Sequence, residues 1–172
     1  MDELGFKALT EANWSKPDPT TLLFGRLTAD GPRSVTGEEW LKICLAPILN
    51  KSVPIQVRRI YEVSRGSLAY GYYFYPLYTL AYQQLYRVLD TATLYKCRAE
   101  NAPKMETNSF SKRIDWLFKQ CFLPPEDRIV WDACRRLRNY YSHPEDQTIM
   151  GPNIALGELH VTADRINQLF PD

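Results

Sequence analysis

The chain has 172 residues, of which 45% are hydrophobic and 24% are charged. This length suits one domain with a real hydrophobic core, and the composition argues against disorder of the whole chain. The 21 basic and 20 acidic residues leave a formal net charge of +1. That balance argues against a histone-like nucleic-acid binder, although it leaves room for a local basic cleft.

The cysteines and the amino terminus indicate a reducing compartment. The four cysteines are Cys44, Cys97, Cys121 and Cys134. Their wide spacing favours buried reduced thiols over a disulfide framework or a metal site. We therefore predict neither a metal nor a cofactor. The acidic start, residues 1–7, lacks a basic residue followed by an apolar run, so no secretory signal is expected and the predicted location is cytoplasmic.

Residues 1–65 are predicted to form an accessory helical region packed on the same domain. A short helix over residues 2–13 is followed by turns and a brief extended piece over 22–27, before a turn over 29–32. Further along, Thr36 and Glu39 have the spacing of a capping box and predict the start of a helix.

A second short helix is predicted to begin at Pro54 and to run through Ser64. The pair Arg65-Gly66 is its predicted stop.

Residues 66–172 are predicted to form a helical bundle. The run from Gly66 to Tyr86 is uncharged and about as long as a membrane span, but its tyrosines and glutamines favour a buried helix. Apolar residues recur at helical spacing over residues 72–101 in two adjacent stripes. The first stripe contains Phe74, Leu77, Ala81, Leu85, Val88, Ala92 and Tyr95, and the second contains Tyr75, Tyr78, Tyr82, Tyr86 and Leu89. Such a helix is either the centre of a bundle or half of a dimer interface.

Three more helices are predicted downstream. One begins after the capping residue Ser109, the next covers residues 125–142, and the last covers residues 153–170. The inward residues of the second are predicted to be Ile129 or Val130, Ala133, Leu137 and Tyr141, and those of the last Ile154, Leu159, Ile166 and Leu169. The predicted class is all-α, with four main helices from residue 66 onward and short helices before them.

One segment combines residue types that suit chemistry on RNA. Residues 135–144 read Arg-Arg-Leu-Arg-Asn-Tyr-Tyr-Ser-His-Pro, and proline ends the helix because it disfavours helical backbone before it. Histidine can carry a proton in either direction near neutral pH, and the guanidinium of arginine matches phosphate oxygens. Arg138 and His143, with Asn139 beside the arginine, are therefore candidate catalytic residues. At helical spacing, Arg135 and Ser142 lie on the same helix face as Arg138 and Asn139.

Residues 137–144 resemble the signature of HEPN (higher eukaryotes and prokaryotes nucleotide-binding) proteins, in which an arginine precedes a histidine at the end of a helix. The resemblance extends to the order of helices over residues 66–170. It implies a bundle that homodimerises and a metal-independent endoribonuclease that cleaves RNA by attack of the 2′-hydroxyl in a composite cleft. Arg138 would then stabilise the phosphate, His143 would be the general acid or base, and Asn139 a polar helper.

The resemblance also suggests partners. Many relatives act in toxin–antitoxin or phage-defence systems, so RNA, a second copy and an antitoxin or regulatory protein are the expected partners, with no membrane. Arg135, Arg136 and Ser142 would add contacts to RNA. One toxin subfamily carries a tyrosine two residues after the histidine. In this chain Glu145 occupies that position, so a modification of the tyrosine side chain is not expected here.

Two alternatives stay open beside the nuclease. The domain can be a non-catalytic helical module that binds a nucleotide, RNA or a protein, or the segment can be a coincidence in which His143 only caps a helix. An Arg138 guanidinium held in an internal ion pair and directed away from His143 would remove the basis for the nuclease.

Overall fold

The computed structural model describes residues 4–29, 31–142 and 148–172, while the side chains of residues 26–28 and 32 lie outside this description. The described chain forms six α-helices and one antiparallel hairpin, which confirms the predicted all-α class. The elements are β1 (Gly25–Thr28), β2 (Gly31–Ser34), α1 (Gly37–Leu45), α2 (Ile55–Tyr70), α3 (Pro76–Ala99), α4 (Phe110–Lys119), α5 (Arg128–Tyr140) and α6 (Pro152–Leu169).

The helix starts that the sequence predicted are formed by local hydrogen bonds. The hydroxyl of Thr36 accepts from the backbone N–H of Glu39, and the Glu39 carboxylate accepts from the backbone N–H of Thr36. This capping box begins α1. Ser109 likewise caps α4 by accepting from the backbone N–H of Lys112. Both predicted caps are confirmed.

Helix α3 lies at the centre of the bundle. It packs against α2, α4, α5 and α6, and its tyrosine stripe is buried within the chain, with Tyr78 0% and Tyr86 1% exposed. Of the two interpretations of this helix, the centre of a bundle is therefore the correct one. Burial of these rings also removes them from the surface, so they cannot stack on the bases of a nucleic acid.

The amino-terminal region differs from its prediction. Residues 4–13 form turns and irregular backbone, so the helix predicted over residues 2–13 is wrong for the described part. The extended piece belongs to a hairpin in which Leu27 pairs with Pro32 and Thr28 with Gly31. Gly31 has φ +108°, a conformation that glycine adopts without strain. Sequence reasoning missed β2 because residues 31–34 contain Gly and Pro, which are depleted in strands.

A buried carboxylate joins this region to the bundle. Asp18 is 0% exposed and accepts hydrogen bonds from the backbone N–H groups of Thr20 and Tyr75, each at 2.9 Å. Tyr75 immediately precedes α3. Asp18 therefore satisfies a backbone donor at the start of the central helix, where the first N–H groups lack the acceptor of a preceding helical turn.

Several predicted boundaries and faces are corrected. Helix α2 continues past Arg65-Gly66 to Tyr70, so the division between residues 65 and 66 falls inside a helix that packs on α3. Helix α3 begins at Pro76 rather than near residue 72. No described helix is long and apolar enough to cross a membrane.

The inward face of α5 is only partly the predicted one, since Leu137 and Tyr141 pack against the core as predicted. Ile129 is 78% exposed and Val130 36% exposed, whereas Trp131 and Cys134 are buried. In α6, Ile154 is 57% exposed, while the other predicted residues of its inward face, Leu159, Ile166 and Leu169, are buried. Each of these two helices has apolar residues on more than one side, and the sequence pattern alone did not identify the side that packs.

A matched pair of glycine substitutions tests the junction between α2 and α3. A Cβ atom at Gly71 would overlap the ring of Tyr78, whereas a Cβ atom at Gly66 would meet nothing within 4 Å. Gly71→Ala should lower the free energy of unfolding by about 1–3 kcal/mol through overpacking. Gly66→Ala should raise it by about 0.5–1 kcal/mol because alanine is the better helix former. Urea unfolding measures both, and equal effects of the two substitutions would contradict the described packing of Tyr78.

Candidate functional site

The inward face of α5 directs Arg138 toward the central helix. Trp131 and Cys134 are buried and fix α5 against the bundle. Arg138 follows Cys134 by one helical turn and therefore emerges on the same side. Its Nη2 lies 3.2 Å from Oδ2 of Asp90, a residue of α3.

Asp90 is shared between two arginines. Its Oδ1 accepts a hydrogen bond from Nη2 of Arg113 on α4, while its Oδ2 faces Arg138 on α5. Arg113 is 8% exposed and also donates to the backbone oxygen of Thr107 at 3.0 Å and to the hydroxyl of Thr93 at 3.4 Å. Two guanidinium groups thus meet one carboxylate, so this cluster keeps one net positive charge.

The two arginines differ in exposure. The side chain of Arg138 is 38% exposed, compared with 10% for Arg113. Nε of Arg138 is buried and has no hydrogen-bond partner among the described residues. The ion pair fulfils one of the two conditions that would count against a nuclease, namely an Arg138 guanidinium with an internal partner. The second condition concerns His143, which lies outside the described residues.

Arg138 lines a small polar cleft between α3 and the end of α5. The cleft has a volume of about 60 Å³ and is lined by Leu80, Gln83, Gln84, Arg87, Arg138, Tyr141 and Ser142. Since one water occupies about 30 Å³ of the liquid, this space suits one small group. Arg87 is exposed and has no ion pair within the part of the chain that is described. The cleft therefore contains two arginines and no described acidic lining residue.

Sequence reasoning did not identify Arg87 or Asp90 as site residues. The signal that could have found them is their position, because they are the first charged residues after the uncharged run from Gly66 to Tyr86. Charges that follow such a run in a central helix must meet solvent or partners from neighbouring helices.

The two residues after α5 are fixed by neighbouring groups. The hydroxyl of Ser142 donates to the backbone oxygen of Arg138 at 2.8 Å, so its proton is already used. The ring of Tyr141 stacks on Tyr86 with ring centroids 6.0 Å apart. Burial, and to a lesser degree the neighbouring Tyr82 and Tyr140, raises the pKa of Tyr141. Its hydroxyl therefore stays protonated near neutral pH and can donate a hydrogen bond, but it cannot serve as a base.

The other predicted site residues are not brought into the cleft. Asn139 and Arg136 are exposed and do not line it. Arg135 points toward α4, where its Nη1 donates to the hydroxyl of Ser111 at 2.9 Å, and its Nη2 lies 3.9 Å from Asp132. Of the residues expected on one face, the structure thus brings together Arg138 and Ser142 only.

Metal ligands and thiols give no further site in the described chain. Within residues 4–29, 31–142 and 148–172, no group of three or more His, Cys, Asp or Glu side chains could hold a metal ion. Three of the cysteines are buried as predicted, but Cys121 is exposed. Burial raises the pKa of Cys134 to about 11, so this thiol beside α6 is protonated at neutral pH.

Comparisons with known proteins add no relative. No protein-family model matches the chain, and neither a search of curated proteins nor a search of solved structures finds a match. The resemblance to HEPN proteins therefore stays a prediction that rests on residues 137–144 and on the order of the helices.

The exposure of the two arginines predicts unequal effects on stability. Arg113→Ala should lower the free energy of unfolding by about 3–5 kcal/mol, because it removes one partner of a buried ion pair. Arg138→Ala should lower it by about 1 kcal/mol or less, since solvent screens its contact with Asp90. Chemical unfolding in urea measures both changes. A loss at Arg138 as large as the loss at Arg113 would identify Arg138 as a structural residue.

Proposed function

We propose that this chain is a metal-independent endoribonuclease of the HEPN type. The observation that carries the proposal is the placement of Arg138 at the end of α5, where it is half exposed and lines a cleft beside the exposed Arg87. The shared carboxylate of Asp90 orients the Arg138 guanidinium without neutralising the arginine cluster. A phosphate group in the cleft would meet both cations.

The chemistry assigned to the site is cleavage of a phosphodiester by the neighbouring ribose 2′-hydroxyl. His143 would take the 2′-hydroxyl proton or donate a proton to the leaving 5′-oxygen, and the products would be a 2′,3′-cyclic phosphate and a 5′-hydroxyl. Arg138 would stabilise the extra negative charge that develops on the phosphate oxygens. Asn139 would act from the solvent side of the helix, and Arg135 and Arg136 would contact RNA outside the cleft.

The assembly that the resemblance implies, and that we propose, is a homodimer with a composite cleft. Arg138 lies on the inner side of α5, opposite the exposed Ile129, so a partner packed on the outer side would not bring two Arg138 side chains together. The second copy would instead have to cover the end of α5, where Arg138 and Arg87 line the cleft. The other partner that we propose for this chain is an antitoxin or regulatory protein of a toxin–antitoxin or phage-defence system.

Two observations favour a second candidate, a non-catalytic helical domain that binds a nucleotide, RNA or a partner protein. Arg138 already has an ionic partner in Asp90, and Asn139 does not line the cleft. In this case the arginines would bind an anion without any bond being broken, and His143 would only end the helix.

An RNA-cleavage assay in EDTA separates these candidates. The wild-type chain should cleave single-stranded RNA to products with 2′,3′-cyclic phosphate ends. His143→Ala and Arg138→Ala should each reduce the rate by about 100- to 1000-fold, because each removes a group that acts in the transition state. Arg87→Ala should reduce the rate less, since it adds to phosphate binding only.

Arg59→Ala is the matched control, because Arg59 is exposed on α2 and away from the cleft. Its rate should equal that of the wild type. Cleavage that persists unchanged in both His143→Ala and Arg138→Ala would remove these residues from the mechanism. Stable binding of RNA without any cleavage would favour the second candidate.

A further inference from the structure

A second cavity lies near the amino-terminal end of α3, and none of its lining residues belongs to α4 or α5. It has a volume of about 320 Å³ and is enclosed by the amino-terminal segment, α1, α3 and the first turn of α6. This volume is at the lower end of the roughly 300–1,000 Å³ that small-molecule sites occupy. No residue that lines it belongs to the arginine cleft.

The walls of this cavity are mainly aromatic and aliphatic, and Asn153 adds a polar amide at the start of α6. Trp40 and Tyr78 form an edge-to-face pair with ring centroids 5.5 Å apart. The indole N–H of Trp40 already donates to the backbone oxygen of Leu68 at 3.0 Å, so this side chain offers the cavity its ring only. Val35 and Leu156 supply aliphatic surface. Among the residues that the structure describes, those that line the cavity are all uncharged.

Two buried hydroxyl groups provide a polar point within these walls. Thr21 is 7% and Tyr78 0% exposed, and their hydroxyl oxygens are 3.4 Å apart. The Thr21 hydroxyl also lies 3.3 Å from the backbone oxygen of Gly71, which can accept its proton. When the fully buried Tyr78 donates to the Thr21 oxygen, the more exposed Thr21 hydroxyl can donate either to the Gly71 oxygen or to an acceptor of a bound molecule. The pair can therefore donate one hydrogen bond to a bound molecule.

The rim of the cavity exposes a large apolar side chain. Leu23 lines the cavity and is 83% exposed, although it belongs to the same short turn as the buried Thr21. A ligand in the cavity would cover this side chain and so gain hydrophobic free energy. The rim thus favours an apolar occupant over water alone.

We propose that this cavity binds one uncharged, flat and largely apolar small molecule, which carries a carbonyl or similar acceptor toward Thr21 and Tyr78. The aromatic pair favours a flat molecule, and the uncharged described lining favours a neutral molecule over an anion such as a nucleotide. The hydroxyl pair fixes the orientation of the acceptor. This site stands on observations that are independent of the ribonuclease proposal.

Binding of Prodan, an uncharged naphthalene ketone whose emission depends on polarity and hydrogen bonding, tests the site. The full chain should bind one Prodan saturably, with emission shifted to the blue relative to water. Tyr78→Phe and Thr21→Val should weaken binding by about tenfold or less, because each removes part of the hydroxyl pair. In Thr21→Val the emission of bound Prodan should shift further to the blue, since the ketone loses its donor.

Leu156→Trp fills the cavity and should weaken Prodan binding by more than about tenfold. Ile154→Trp is the matched control, because Ile154 lies on the same helix, is 57% exposed and does not line the cavity. Circular dichroism verifies that each variant is folded. Equal binding by Leu156→Trp and wild type would overturn the proposal, as would binding that never saturates. If Leu156→Trp fails to fold, unchanged affinity and emission in both hydroxyl variants would overturn it equally.

Discussion

The burial of α3 is the constraint on which the rest of the molecule depends. Four helices pack against it, and its first half carries no charge, which suits buried positions such as Tyr78, Ala81 and Leu85. Charged side chains appear only from Arg87 onward. Asp90 then lies where α4 and α5 approach, so its carboxylate must find cations on these helices. The arginine cluster is thus a consequence of how the central helix is enclosed.

Local signals in the sequence predicted the elements of the fold well. Capping residues such as Thr36 and Ser109 act through hydrogen bonds within a few residues, so they can be recognised without a structure. The apolar stripes of α3 were also sufficient, because almost every side of that helix is buried. Helix α5 is different, since it has apolar residues on its inner and outer sides. Burial of Trp131 rather than Ile129 depends on the shape of the neighbouring helices, which no local pattern contains.

The candidate site was only partly predictable for the same reason. The spacing of Arg138 and Ser142 along a helix placed both at one end of α5, and the described residues agree with that placement. Asp90 and Arg87 are about fifty positions away in the sequence and reach the site through tertiary packing. The Arg135 side chain points toward α4 rather than toward the cleft, and its guanidinium donates a hydrogen bond to the hydroxyl of Ser111. His143 lies outside the described residues, so its predicted role stays a prediction.

The double use of Asp90 changes what happens when an anion arrives. In an isolated buried ion pair, a ligand that binds the arginine leaves the carboxylate without a cation. That is costly because the protein interior solvates a charge poorly. Here Arg113 remains bonded to Asp90 and is itself anchored by Thr107 and Thr93. Arg138 can therefore leave the Asp90 carboxylate and bind an incoming anion. The Asp90 carboxylate then remains paired with Arg113. The arrangement makes Arg138 an exchangeable member of the cluster and Arg113 its permanent one.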